Sequence, residues 1–131
     1  QHMQIEHVAI WCRDLEGMRE FYQRYLAAEA NDKYTNARGF CSYFLRFPAS
    51  DCRLELMQWP EVQESRNEAD RQYIGLAHLA FSLGSRTTVD QLTARLQADG
   101  YPLLSGPRVT GDGYYESCLL DPELNRLELT A

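Results

Sequence analysis

An α+β fold of two tandem βαβββ modules is predicted by an internal repeat, by helix signals at matching places in the two copies, and by strand alternation. Glu6-His7-Val8-Ala9-Ile10 returns as Ala77-His78-Leu79-Ala80-Phe81, and Arg53-Leu54-Glu55-Leu56 returns unchanged as Arg126-Leu127-Glu128-Leu129. His78 follows His7 by 71 residues and Glu128 follows Glu55 by 73, so the chain reads as two half-length copies whose loops differ slightly in length. A chain of 131 residues, 44% hydrophobic and 24% charged, fits one domain with a sizeable core. The modules are expected over about 4–62 and 72–131, with residues 1–3 a remnant of an expression tag.

The first copy opens with an apolar strand over residues 5–12. Asp14 then supplies a helix N-cap, followed by Leu15, Met18, Phe21, Tyr22, Tyr25 and Leu26 at three- and four-residue spacing, the core face of an amphipathic helix. A weak strand follows, then strands at 40–47 and 53–59 about the turn Pro48-Ala49-Ser50-Asp51. Residues 61–71 are charged and poor in apolar side chains, and read as a solvated or short helical connector. The second copy repeats the plan. A strand is expected at 74–83, and a helix from near Ser85 with Val89, Leu92 and Leu96 on one face, stopping at Gly100 before Pro102. After a weak strand come 114–120 and 126–130 about Asp121-Pro122-Glu123-Leu124-Asn125. The glycine-dense stretch 106–113 does not lie between a strand and a helix, as a phosphate cradle would, and is expected to be a mobile rim loop.

Alternation places the chemistry, because residues two apart on a strand share a face. Leu54 with Leu56, and Leu127 with Leu129, take the faces toward the helices, which leaves Glu55 and Glu128 on the opposite faces. Val8 with Ile10 and Leu79 with Phe81 turn His7 and His78 the same way. Four ligand-type residues thus leave the core in register. Imidazole and carboxylate suit one borderline divalent ion, nickel, cobalt or zinc, with manganese or iron as further choices. Two carboxylates neutralise a 2+ ion, and four side chains on an octahedral ion leave two positions for water or substrate oxygens.

A net charge of −6 without a basic cluster argues against nucleic acid and anionic membrane surfaces as partners. No apolar run approaches the roughly 20 residues of a membrane helix, and a cytoplasmic protein is expected. Cys12, Cys41, Cys52 and Cys118 are scattered, without a Cys-x-x-Cys pair, and read as reduced, buried thiols.

Paired βαβββ modules, each with His on the first strand and Glu on the last, resemble the vicinal-oxygen-chelate superfamily (the glyoxalase, bleomycin resistance and dioxygenase family), and within it glyoxalase I, the lactoylglutathione lyases. The resemblance covers residues 5–130. It implies a glyoxalase-like fold whose curved sheets surround a metal-containing cup, ligated by His7, Glu55, His78 and Glu128. It also implies isomerisation of an α-ketoaldehyde–thiol adduct, or a related α-hydroxycarbonyl, through an enediolate, with Glu128 as base and Glu55 as its symmetry mate. Two His with two Glu favour the lyase over the other reactions run on this fold: dioxygenation, epimerisation, thiol transfer and drug sequestration. Lys33 is the only lysine, so the carboxylates of a glutathione adduct would fall to Arg108 or Arg38. Tyr114 or Tyr115 is expected to reach the substrate, with Tyr34 and Asn36 as further candidates. A homodimer is expected, because curved sheets expose edges and apolar surface.

Overall fold

The computed structural model describes residues 1–131, which form two compact units, Gln1–Ser65 and Arg66–Ala131. No helix is long and apolar enough to cross a membrane. The first unit contains β1 (His7–Trp11), α1 (Leu15–Leu26), β2 (Glu29–Ala30), β3 (Tyr34–Thr35), β4 (Cys41–Arg46) and β5 (Arg53–Gln58). Its sheet runs β1-β5-β4-β2, with β3 also on β4; β1 and β5 are parallel and the other pairs antiparallel. The second unit contains β6 (Leu79–Ser82), α2 (Arg86–Ala98), β7 (Leu103–Val109), β8 (Tyr115–Leu120) and β9 (Arg126–Thr130). Its order β6-β9-β8-β7, with β6 parallel to β9, repeats the plan. The register is duplicated as well. Val8 pairs with Leu54 and Ala9 with Glu55, as Leu79 pairs with Leu127 and Ala80 with Glu128.

The helices form where the sequence signals them. The Asp14 side chain accepts from the Gly17 backbone at 3.0 Å, and Ser85 accepts from that of Thr88 at 3.1 Å, each satisfying an orphan N–H of the first turn. Leu15, Met18, Phe21, Tyr22, Tyr25 and Leu26 of α1 are buried, as are Leu54, Leu56, Tyr43 and Leu45 of its sheet. Each fully buried leucine contributes about 1.5–3 kcal/mol relative to exposure. Under α2 the core face differs from the expectation. Val89, Thr93 and Leu96 are buried, and Leu92 is only half-buried. Thr93 is admitted because its hydroxyl donates to the Val89 carbonyl at 2.6 Å and meets the buried Ser117 hydroxyl at 2.7 Å, so neither polar group is left unpaired.

Four further expectations are corrected. The strand expected at 74–83 begins at Leu79, and Ile74 and Leu76 stand fully exposed before it; the ladder to β9 starts at Leu127, leaving earlier residues no partner strand. Residues 106–109 are not loop but the end of β7, whose pairing with β8 shifts register twice. The turn is confined to 110–114, closed by Thr110 N–H to the Tyr114 carbonyl at 2.7 Å. The weak strand of the first copy is split into β2 and β3 at Asn31, whose backbone N–H still donates to the Phe44 carbonyl at 3.1 Å while its side-chain oxygen, in place of its backbone carbonyl, accepts from Phe44 N–H at 2.8 Å. The connector 61–71 takes the first of its two expected forms, solvated and without helix. All four cysteines are free, but only Cys12 is buried.

Candidate functional site

In the first unit His7 opens β1 and Glu55 lies in mid β5, both on the face away from α1. His7 Nε2 stands 3.7 Å from Glu55 Oε1, with the Glu55 side chain 15% exposed. The ring edge of His7 abuts Phe44, the cross-strand partner of Glu55, and the Arg53 guanidinium covers that phenyl ring at 4.0 Å. Glu6 ties these groups together. Its carboxylate accepts two hydrogen bonds from Arg53, at 2.7 and 2.8 Å, and one from His7 Nδ1 at 2.7 Å. The Arg53 hydrogen bonds first, and that of His7 second, lower the Glu6 pKa to about 2. A carboxylate on Nδ1 places the proton there and leaves the Nε2 lone pair facing Glu55.

In the second unit His78 lies one residue before β6, and its Nε2 stands 3.3 Å from Glu128 Oε1. Ala77 replaces the tethering carboxylate. Glu128 has different neighbours: Cys118 is its cross-strand partner on β8, and Glu116 lies two residues along the same face. Burial first, and the Glu128 charge second, push the Glu116 carboxyl up from its ordinary range. Burial likewise raises the Cys118 thiol, with Arg126 opposing. Arg126 itself is anchored by the Ala69 and Glu68 carbonyls at 2.9 and 3.4 Å.

Each pair fits a metal by donor chemistry and by spacing. Two ligand atoms about 2.1 Å from one ion, subtending 90–110° at it, stand roughly 3.0–3.4 Å apart. The observed 3.3 Å matches, and 3.7 Å needs only a small side-chain rotation. Within either unit no third His, Cys, Asp or Glu completes a metal-binding group; each module brings together one imidazole and one carboxylate.

The remaining candidates separate. Arg108 on β7 pairs with Glu116, on the strand bearing Cys118, and lies exposed. Tyr114 is exposed in the turn. Tyr115 is directed away from Glu128: its hydroxyl donates to Asp90 of α2 and Arg86 lies over its ring, so it belongs to the helix side. Arg38 is exposed in the turn between β3 and β4, where its N–H donates to the Asn36 side chain at 2.9 Å. Asn36 also accepts from Phe40 N–H at 3.1 Å and is thereby committed to shaping that turn. Tyr34 contacts Phe40 instead.

The comparisons bear on the family and the fold. The family model described as Glyoxalase/Bleomycin resistance protein/Dioxygenase superfamily matches residues 4–129. The chain belongs to that superfamily. An uncharacterized protein of Bacillus subtilis, YqjT, is 31% identical over 97% of this chain and 98% of its own length. The trypanothione-dependent glyoxalase I of Leishmania major shares the fold with a TM-score of 0.75 and 20% identity, over 98% of this chain and 86% of that one. So does TnmS3, an antibiotic binding protein from Streptomyces sp. CB03234, with a TM-score of 0.73 and 19% identity, over 98% and 94%. Around the His–Glu pairs, Glu6, Glu116, Trp11 and Trp59 had escaped sequence reasoning. The signal for Glu6 was present, an acidic residue before one histidine and alanine before the other. Trp11 shares strand parity with His7, and Trp59 with Glu55.

Proposed function

We propose that this chain is a metal-dependent lyase or isomerase of the glyoxalase I type, acting on an α-ketoaldehyde–thiol adduct, glutathione's among them, or a related α-hydroxycarbonyl. The observation that carries the reading is the recurrence of one His–Glu pair, in one register, at 3.7 and 3.3 Å in the two modules. His7, Glu55, His78 and Glu128 would together hold one nickel, cobalt or zinc ion, which supplies Lewis-acid polarisation of a vicinal oxygen pair. Glu128 is the base, taking the proton from the carbon beside the carbonyl and returning it to the neighbouring carbon, so that an enediolate collapses to the thioester. Glu128 suits the role better than Glu55. The histidine facing Glu128, His78, follows Ala77 and lacks the carboxylate tether of the first module, so that pair is freer to loosen, whereas Glu55 faces a histidine held by Glu6 and Arg53. Arg108 is the cation available near Glu116 for a substrate carboxylate. Exposed Ile74 and Leu76 suit a homodimer contact.

Metal removal and reloading, with metal content and thioester formation from methylglyoxal and glutathione followed together, tests the reading. One ion per four-ligand set is expected, lost in His7→Ala. Glu128→Gln should retain most metal and lose turnover by at least about a hundredfold. Metal without turnover would retain the site and discard the substrate. A protein that takes up no ion would favour a second reading, a sequestering protein for small molecules. That reading is supported by the exposed aromatic surface beside Glu55, and TnmS3 has the same fold.

A further inference from the structure

We infer that the first module carries a subsite for a planar aromatic group, built from Trp11, Trp59, Phe40 and Tyr34 and continuous with the His7–Glu55 pair. The subsite rests on the proposed function only for what reacts at the metal end.

Register places the four rings. Trp11 pairs with Met57, and Met57 with Ser42, so this row lies one step along the sheet from the row Ala9, Glu55 and Phe44. One step of two residues is about 7 Å. Phe40 and Trp59 extend the same face by a further step, just outside β4 and β5. The rings touch in series: Tyr34 to Phe40 at 6.1 Å, Phe40 edge-on to Trp11 at 6.2 Å, and Trp11 near-parallel to Trp59 at 6.4 Å. Rings held by one another lose little freedom when a ligand arrives, which favours binding.

These aromatics are not core. They lie on the sheet face opposite α1, with Trp11 44% and Tyr34 55% exposed, although an indole is among the costliest side chains to leave in water. The duplication makes the same point. Where the first module has Trp11, Met57 and Ser42, the second has Ser82, Thr130 and Glu116 in the matching register. Both modules keep the His–Glu pair, and where the second has only Tyr114 at the place of Phe40, the first adds a run of four touching rings. A ligand with oxygens at one end and a flat ring system about 7 Å away meets that asymmetry. Indole faces prefer a planar π-system to a saturated ring of equal area, through stacking geometry and dispersion.

Trp11 and Trp59 are the only tryptophans in the chain, so 5-fluorotryptophan labelling gives two ¹⁹F resonances, both within the subsite. The metal-free protein is titrated with 2-naphthylglycolate and, separately, with its decahydro analogue. Both resonances should shift saturably with the naphthyl compound, and the saturated one should bind at least about tenfold more weakly. Trp11→Leu should weaken naphthyl binding about tenfold. Trp11→Phe should restore most of it, which separates lost stacking from lost folding. No saturable shift, equal binding of the two compounds, or resonances that move on dilution of protein alone, as when a second copy covers the rings, would each overturn the subsite. Because the titration uses neither metal nor turnover, a failed lyase assay with naphthyl binding intact would sink the reaction and leave the subsite standing.

Discussion

Glu6→Ala tests whether the two His–Glu pairs differ as the geometry says. The substitution removes a carboxylate that accepts from His7 Nδ1 at 2.7 Å and holds Arg53 through two bonds of 2.7 and 2.8 Å. His7 would then be free to turn and to carry its proton on Nε2, the nitrogen that faces Glu55. Losing a carboxylate partner behind a ligating histidine typically costs 10- to 100-fold in metal affinity. Glu6 is solvent-exposed, so water competes for its partners and the low end applies, about tenfold. The assay is competition for cobalt or zinc against a chromophoric chelator at constant pH and ionic strength. Ala77→Ser, at the matching place in the second module, is the control and should leave affinity within about twofold. Glu6→Gln, which accepts but carries no charge, should fall between wild type and Glu6→Ala. Unchanged affinity in Glu6→Ala would refute the argument that the Glu6–Arg53 clasp orients His7.

Three other outcomes follow from the scaffold. Gly106→Ala should destabilise by about 2 kcal/mol or more, measured in urea, because φ is +80° and an added Cβ would strike the Glu116 carbonyl oxygen; a loss under about 0.5 kcal/mol would mean that β7 and β8 separate easily. Thr93→Val should cost about 1–3 kcal/mol by stranding the buried Ser117 hydroxyl. Adding Ser117→Ala should recover part of that loss, and strictly additive costs would show that the pair is uncoupled. The Lys33 hydrogen bond first, with Tyr43 and Arg19 assisting, lowers the Glu16 carboxyl below its usual 4.5. Its stabilisation is therefore complete above pH 4.5 and lost as pH falls through the lower folded value. Thermal melts of Glu16→Gln should approach wild type at low pH and fall short of it at neutral pH; a constant gap would contradict the linkage.

Much of this was readable in the chain because it depends on local periodicity. The two Arg-Leu-Glu-Leu segments became β5 and β9 with their leucines buried and their glutamates on the other face, since alternation along a strand is set by the backbone itself. Asp14 and Ser85 began their helices because an N-cap acts within one turn. Superfamily membership, too, was legible in the repeat.

Tertiary structure decided what depends on partners distant in sequence. Thr93 displaced Leu92 from the core because Ser117, on another strand, could satisfy its hydroxyl. Tyr115 went to Asp90 on α2, and half of a glycine-rich stretch became strand because β8 was there to pair with it. Glu6, a single residue with no periodic signature, acquired its place only when β5 brought Arg53 alongside β1. The aromatic surface arose in the same way, from β1, β4 and β5 in one register. Periodicity says which face a residue takes; only the pairing of strands says what stands beside it.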